Sequence, residues 1–402
     1  MNVRNAYALV ATLFLTWGLL NAVNDVLVAH LRAAFHLSYH AATLVQLTFY
    51  LTCFFASFPS SRLVARLGYR LVMLTGLAIM ALGAFSFVLA SEVATFASFL
   101  FAQIVMASGS TALQTAAGPY VALLGSEESA SSRFSLALGV NSFGAMLAPG
   151  FGAWLILRSG VEQAGSLKLP YLGVAFGLIF LAFVVGRSRL PDITAQTAPT
   201  GSDRQPLGRL RQHPKLLFGV AAMFLYVGAE IAIGSLLIPY LGQPDTLSLP
   251  RPRAALLVSF YGGGMMVGRF IGFAILDRLR PTLALAIVAT AATALVLTSV
   301  VTTGGLAAYS MLAVGLCNSI MVPVIFTTAI SGLGPLTAKG SGLLVAALVG
   351  GALIPFLQGS LADRIGLHYS FLVPSVCYVF IALYGFWCMR SSANHARQEH
   401  AV

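Results

Sequence analysis

A polypeptide crosses a bilayer only if every backbone N–H and C=O finds a partner inside the segment, which in practice means a helix or a closed barrel. This chain carries runs built for the first solution. Long apolar stretches fall at 6–30, 42–61, 71–90, 95–123, 134–157 and 170–187, and again at 215–241, 254–276, 281–301, 305–331, 341–361 and 369–389. Each approaches or exceeds the roughly 20 residues that a helix needs to span the hydrocarbon. Hydrophobic residues make up 58% of the chain and charged ones 9%, whereas soluble domains are about a quarter charged. The expectation is an all-α membrane protein of 12 transmembrane helices in two six-helix bundles. The bundles are placed at 1–187 and 215–402, joined by a linker at 188–214 that is rich in Pro, Ser, Thr and Arg. The opening "MNVRNAYALVATLFLTWGLL" has a signal-like charge and apolar run but no small-residue cleavage site, so it is read as a retained first span.

Orientation follows from the cations. With the N-terminus inside, the inner segments hold Arg4, Arg62, Arg66, Arg70, Arg133, Arg187, Arg189, Arg204, Arg209, Arg211, Lys215, Arg278, Arg280, Lys339, Arg390 and Arg397. The outer ones hold Arg32, Arg158, Lys168, Arg251, Arg253 and Arg364. The bias places both termini and the linker in the cytoplasm. It also accounts for the formal charge of +11 without nucleic acid, since no basic run is interleaved with aromatics. The four cysteines, Cys53, Cys317, Cys377 and Cys388, sit in apolar runs without metal-like spacing. No HExxH or GxSxG pattern is present and no histidine lies deep in a span, so neither metal, cofactor nor enzymatic chemistry is expected.

Six spans, a basic cytoplasmic linker and six more spans form the layout of the major facilitator superfamily, whose halves rock about a central site. Two loops fit that layout. "SRLVARLGYR" keeps Arg66, Gly68 and Arg70, and "GRFIGFAILDRLRP" keeps Gly272, Asp277 and Arg278, in equivalent positions of the two halves. Both resemble the superfamily's Gly-Asp-Arg gating loop in degenerate form.

Ten of the acidic residues fall in loops or at span ends, leaving Asp25 in the first span and Glu230 in the seventh. A charge at the bilayer centre costs about 2.5–3.5 kcal/mol on insertion scales, so such groups normally line a cavity and act there. Both are candidate proton-coupling residues. On the first span Trp17, Asn21, Asn24 or Asp25, and Val28 share a face. Gln103, Ser110 and Gln114 form a stripe on the fourth span, and Tyr226 lies one turn before Glu230. With Gln46, Asn141, Tyr261, Asn318 and Gln358 these side chains form the candidate substrate set. Amides and carboxylates bind hydroxyls from either direction, and aromatic rings stack on the C–H face of a pyranose. The bland alternative for any one amide is a hydrogen bond between helices. Gly264, Gly268 and Gly272 are read as a close-packing stripe.

The blocks "WGLLNAVNDVLVAHL", "LVQLTFY", "ALQTAAGPYVALLG", "NSFGAMLAPGFG", "FLYVGAEIAIGSLLIPYL" and "NSIMVPVIFTTAISGLGPLTAKGSGLLVAALVGGALIPFLQGSLADRIGLHYSFLVPSVCY" resemble the fucose–glucose/galactose–proton symporter family across nearly the whole chain. That resemblance implies uptake of a monosaccharide, L-fucose or a related hexose, together with a proton. It implies a protonatable coupling role for Asp25. The family's fourth-span motif reads Glu-Thr-Ala-Ala-Asn-Pro, where this chain has "QTAAGP", so Gln114 and Gly118 replace the glutamate and asparagine. A glutamine keeps its hydrogen bonds but cannot titrate. Conversely, "YVGAE" puts the carboxylate of Glu230 on the seventh span. The expected partners are sugar, protons and the lipid bilayer, with a functional monomer. The nearest rival is a proton-coupled efflux antiporter, faintly suggested by "GAMLAPGFG"; a non-transporting sugar receptor on the same fold is another.

Overall fold

The computed structural model describes residues 2–34, 39–93, 95–159, 168–191, 193 and 212–399, nearly all of them helical. Helix α1 is Val3–Ala34. The stretch Tyr39–Val93 runs for 55 residues and breaks at Gly68, giving α2 (39–67) and α3 (69–93). Then follow α4 (Phe96–Leu123), α5 (Ala130–Ser159) and α6 (Lys168–Arg187). Beyond the linker come α7 (Pro214–Leu241), α8 (Arg251–Ile275) and α9 (Pro281–Val301). The remainder is α10 (Gly304–Asn318), α11 (Met321–Ile330), α12 (Thr337–Ala346), α13 (Gly350–Ile365), α14 (Leu367–Ser370) and α15 (Leu372–Glu399). Every apolar run expected from the sequence lies on these helices. Among the described residues, ten helical stretches are long and apolar enough to cross a membrane. The linker expected at 188–214 lies mostly outside the described residues.

The breaks have local causes. At 1.5 Å per residue a straight 55-residue helix would be about 80 Å long, far more than a bilayer's roughly 30 Å. Gly68 ends it with φ 79° and ψ 168°, a backbone state essentially reserved for glycine. The gap between α10 and α11 precedes Pro323, which sits in the first turn of α11, where a missing N–H costs nothing. Between α12 and α13 the chain tightens into a short 3₁₀ turn, Ala347–Val349. Gly350 then lies against the Phe224 carbonyl so closely that any Cβ would collide.

The helices pack as two compact units. One comprises Met1–Gly125, Val140–Asp203 and Gly334–Ala346; the other comprises Ser126–Gly139, Arg204–Leu333 and Ala347–Val402. Helix α5 is therefore divided, its first turns belonging to the second unit and the rest to the first. In the first unit Phe87 stacks on Tyr171 at 4.5 Å, with Phe99 and Ala84, Ala90, Ala102 and Ala175 closing the core. A Cβ added at Gly109 would lie 2.7 Å from the Gly76 carbonyl oxygen; α3 and α4 meet there backbone to backbone, as small residues permit in membranes.

In the second unit α7 packs against α8, α11, α13 and α15. The glycine stripe of α8 does what its spacing suggests. A Cβ at Gly268 would strike Ser319, and one at Gly272 would strike Ile320 and come within 2.8 Å of Ser135 Oγ.

Gly68→Ala is expected to cost about 1–3 kcal/mol, from strain at a positive φ, and to lower the unfolding midpoint of detergent-solubilised protein. Gly359→Ala is the control. It lies within α13 with no atom within 4 Å of an added Cβ, so its midpoint should hold or rise slightly.

A buried polar network as the candidate functional site

The second unit gathers five polar side chains from three helices around one amide on a fourth. Asn318 ends α10 and is wholly buried, so each of its polar atoms must be paired within the protein. Its Nδ2 donates to the Tyr261 hydroxyl at 2.8 Å. Its Oδ1 accepts from the Tyr378 hydroxyl at 2.8 Å, and its backbone carbonyl accepts from the Tyr226 hydroxyl at 3.0 Å. Tyr261 passes the chain on, its hydroxyl donating to the Glu230 carbonyl at 3.5 Å. Tyr226 also makes hydrogen-bond contact with the Glu230 carboxyl, one turn away on α7, and the Arg269 guanidinium acts on that carboxyl electrostatically.

This geometry reads the proton on Glu230. A tyrosine hydroxyl owns one hydrogen and can accept others. When Glu230 is ionised, its carboxylate competes with the Asn318 carbonyl for the Tyr226 proton. When Glu230 is protonated, its own O–H can donate to Tyr226, leaving the Tyr226 hydrogen for Asn318. Arg269 supplies the opposite charge. It is 8% exposed, and its Nη1 donates to the Leu138 carbonyl at 3.3 Å.

Of the residues proposed from the sequence, the structure brings together Tyr226, Glu230, Tyr261 and Asn318. Gln358 is buried elsewhere in the second unit, where its Nε2 donates to Ser370 Oγ at 3.2 Å. In the first unit, Gln114 Nε2 donates to Ser110 Oγ at 3.1 Å, so two members of the α4 stripe are joined. Gln103 is buried with its Oε1 unpaired among the described residues. Asn141 donates from Nδ2 to the Phe14 carbonyl at 2.9 Å, tying α5 to α1. Asn21 is half-buried and Gln46 exposed. Asn24 and Asp25 lie outside the residues whose side chains are described. In the loops, Arg66 and Arg70 are exposed, Arg70 reaching the Gly186 carbonyl; Asp277 and Arg278 lie in the exposed turn after α8. No group of three or more metal-ligating side chains occurs among the described residues.

Two members of the network are missing from the sequence reading. Arg269 is absent from the tally of inner and outer cations, since "GRFIGFAILDRLRP" reads as a loop motif. The apolar residues flanking "GR" on both sides were the available signal that it lies within a span. Tyr378 carries no such signal, since one tyrosine in an apolar span is ordinary.

The family model for the Major Facilitator Superfamily matches residues 8–347. The chain belongs to the Major Facilitator Superfamily. It is 42% identical over 378 residues to the glucose/galactose transporter of Brucella abortus, covering 93% of this chain and 91% of that one. It is 31% identical over 418 residues to the L-fucose-proton symporter of Escherichia coli, covering 96% and 94%. The crystal structure of the E. coli fucose–proton symporter superposes with a TM-score of 0.88 at 29% identity, covering 96% of this chain and 99% of that one. The family resemblance carried by the sequence blocks is thereby borne out.

Asn318→Ala would leave two tyrosine hydroxyls, those of Tyr261 and Tyr378, short of a partner while Tyr226 keeps the backbone carbonyl, and each buried orphan costs about 1–3 kcal/mol. Tyr378→Phe removes a single bond, worth about 1 kcal/mol. The unfolding midpoint in detergent should fall several-fold further for Asn318→Ala than for Tyr378→Phe.

Proposed function

We propose that the chain takes up a monosaccharide together with a proton, by alternating access across the bacterial inner membrane. The observation that carries this reading is the likeness, over more than nine-tenths of the chain, to transporters named for glucose/galactose and for L-fucose with a proton. The half-buried carboxyl and the buried amides and tyrosines of the second unit suit such a cargo chemically. Twelve spans in two bundles of six, at 1–187 and 215–402 with a cytoplasmic linker at 188–214, form the scaffold. The termini are cytoplasmic and the working unit is a monomer. No observation favours drug efflux.

In this scheme Asp25 carries the coupling proton. An empty carrier with a charged Asp25 resists closing, because burying an unpaired carboxylate is costly. Protonation removes that cost, and the sugar hydroxyls then engage Gln114, Asn141 and the amides around them. Gln114 binds but does not titrate, so the proton site that the family places there is absent. The cargo is a hexose. The higher identity to the glucose/galactose transporters puts D-glucose and D-galactose ahead of L-fucose.

Proteoliposomes with an acidic exterior are expected to accumulate labelled hexose and to lose it when a protonophore is added. Asp25→Asn should bind sugar and exchange it across the membrane without accumulating it; proton-driven accumulation by this variant would move the coupling group elsewhere. For Glu230→Gln the informative quantity is affinity. A loss of tenfold or more marks a direct sugar contact, whereas unchanged binding leaves Glu230 a structural or secondary proton role.

A further inference from the structure

The feature that sugar binding leaves unexplained is the place of Arg269. Its guanidinium acts on the Glu230 carboxyl of α7 and donates to the first turns of α5. Those turns are held to α8 and α11 by a run of hydroxyls. Ser135 Oγ donates to the backbone carbonyl of Arg269 itself at 2.8 Å. Ser132 Oγ donates to the Phe273 carbonyl, one turn further along α8, at 2.7 Å. Ser131 Oγ pairs with Thr327 Oγ1 of α11 at 2.6 Å. The Arg269 side chain then donates to the Leu138 carbonyl, also on α5, at 3.3 Å. Gly139 and Gly272 permit the approach. An added Cβ would meet the Phe270 ring at 3.2 Å in one case and Ser135 Oγ at 2.8 Å in the other. Helix α5 leaves this clasp at residue 140 to join the first unit.

We propose that Arg269 is a positioning residue that relays the charge of Glu230 to this clasp, so that neutralising Glu230 releases the first turns of α5 from α8. A guanidinium buried to 8% exposure is tolerated while a carboxylate offsets it. Removing one partner of a buried charge pair leaves the other uncompensated, which is strongly unfavourable. A neutral Glu230 therefore favours any arrangement that admits water to Arg269. The side chain and the backbone carbonyl of Arg269 are both bonded to α5, so hydrating it means parting α5 from α8. Among the described residues, the groups facing Glu230 are Tyr226 on its own helix, Tyr261 and Arg269 on α8, and Tyr378 on α15. Tyrosines ordinarily titrate near pH 10 and arginine stays protonated, so Glu230 is the member of this group that offers a carboxyl to an incoming proton.

The inference deepens the proton-coupled reading, but its test needs no sugar and no transport. Hydrogen–deuterium exchange is followed in the intact detergent-solubilised protein, for peptides covering residues 126–139, with intrinsic rates corrected for pH. In the parent, protection of this stretch should fall at least fivefold from pH 8 to pH 4.5. Glu230→Gln should show the low level at both pH values. Arg269→Gln should give equal protection at both, and Arg269→Lys, which keeps the charge, should restore part of the response. An arginine that merely supports the fold would lower protection in Arg269→Gln while leaving the pH response intact. That result overturns the proposal, as does a parental response that survives Glu230→Gln, or a parent with no response. Should Arg269→Gln fail to fold, Glu230→Gln and Arg269→Lys decide between the same outcomes. Hexose uptake by parent proteoliposomes is measured separately, so loss of the transport reading and loss of the relay are told apart.

Discussion

The second unit is organised by one electrostatic constraint, a half-buried carboxyl and a buried guanidinium held within one polar network. Glu230 and Arg269 sit on neighbouring helices, and each makes the other tolerable. Such a pair is weak evidence for stability, because taking both charges out of water costs about as much as their attraction returns. It is better evidence for responsiveness. A neutral core at the same place would be indifferent to pH, whereas this one changes its hydrogen-bond demands whenever a proton arrives.

The tyrosines and Asn318 determine how far that change spreads. Asn318 ends its helix just before a break, so its side-chain amide and its backbone carbonyl both serve the network. Tyr226, Tyr261 and Tyr378 reach it from three helices. Rigid rings carrying one hydroxyl each leave few alternative arrangements once their partners are set. The glycines of α8 complete the design by letting α10 come close enough for these bonds to form.

In the first unit the polar groups are used more locally. Gln114 turns to Ser110 on its own helix, and Asn141 holds α5 to the backbone of α1. Among the described residues the two units thus differ in kind, with short neutral amide bonds in one and a charged, multi-helix network in the other. Sugar recognition by Gln114 or Asn141 would draw on amides whose alternative partners are weak, neutral ones, which a hydroxyl can replace at little cost.

The sequence by itself determined the helical class, the placement of the apolar runs, the family and the isolation of Glu230, because these follow from composition and from spacing along one chain. It also made legible the pairing of Tyr226 with Glu230, one turn apart on a single helix, and the packing role of the α8 glycines. What only the tertiary structure decided is which distant residues share a space. Arg269 and Tyr378 join Glu230, Gln358 turns away to Ser370, and the first turns of α5 fasten to α8. Periodicity tells which face of a helix a residue occupies. It does not tell which other helix that face will meet, and a buried charge acquires its role from the partner it meets.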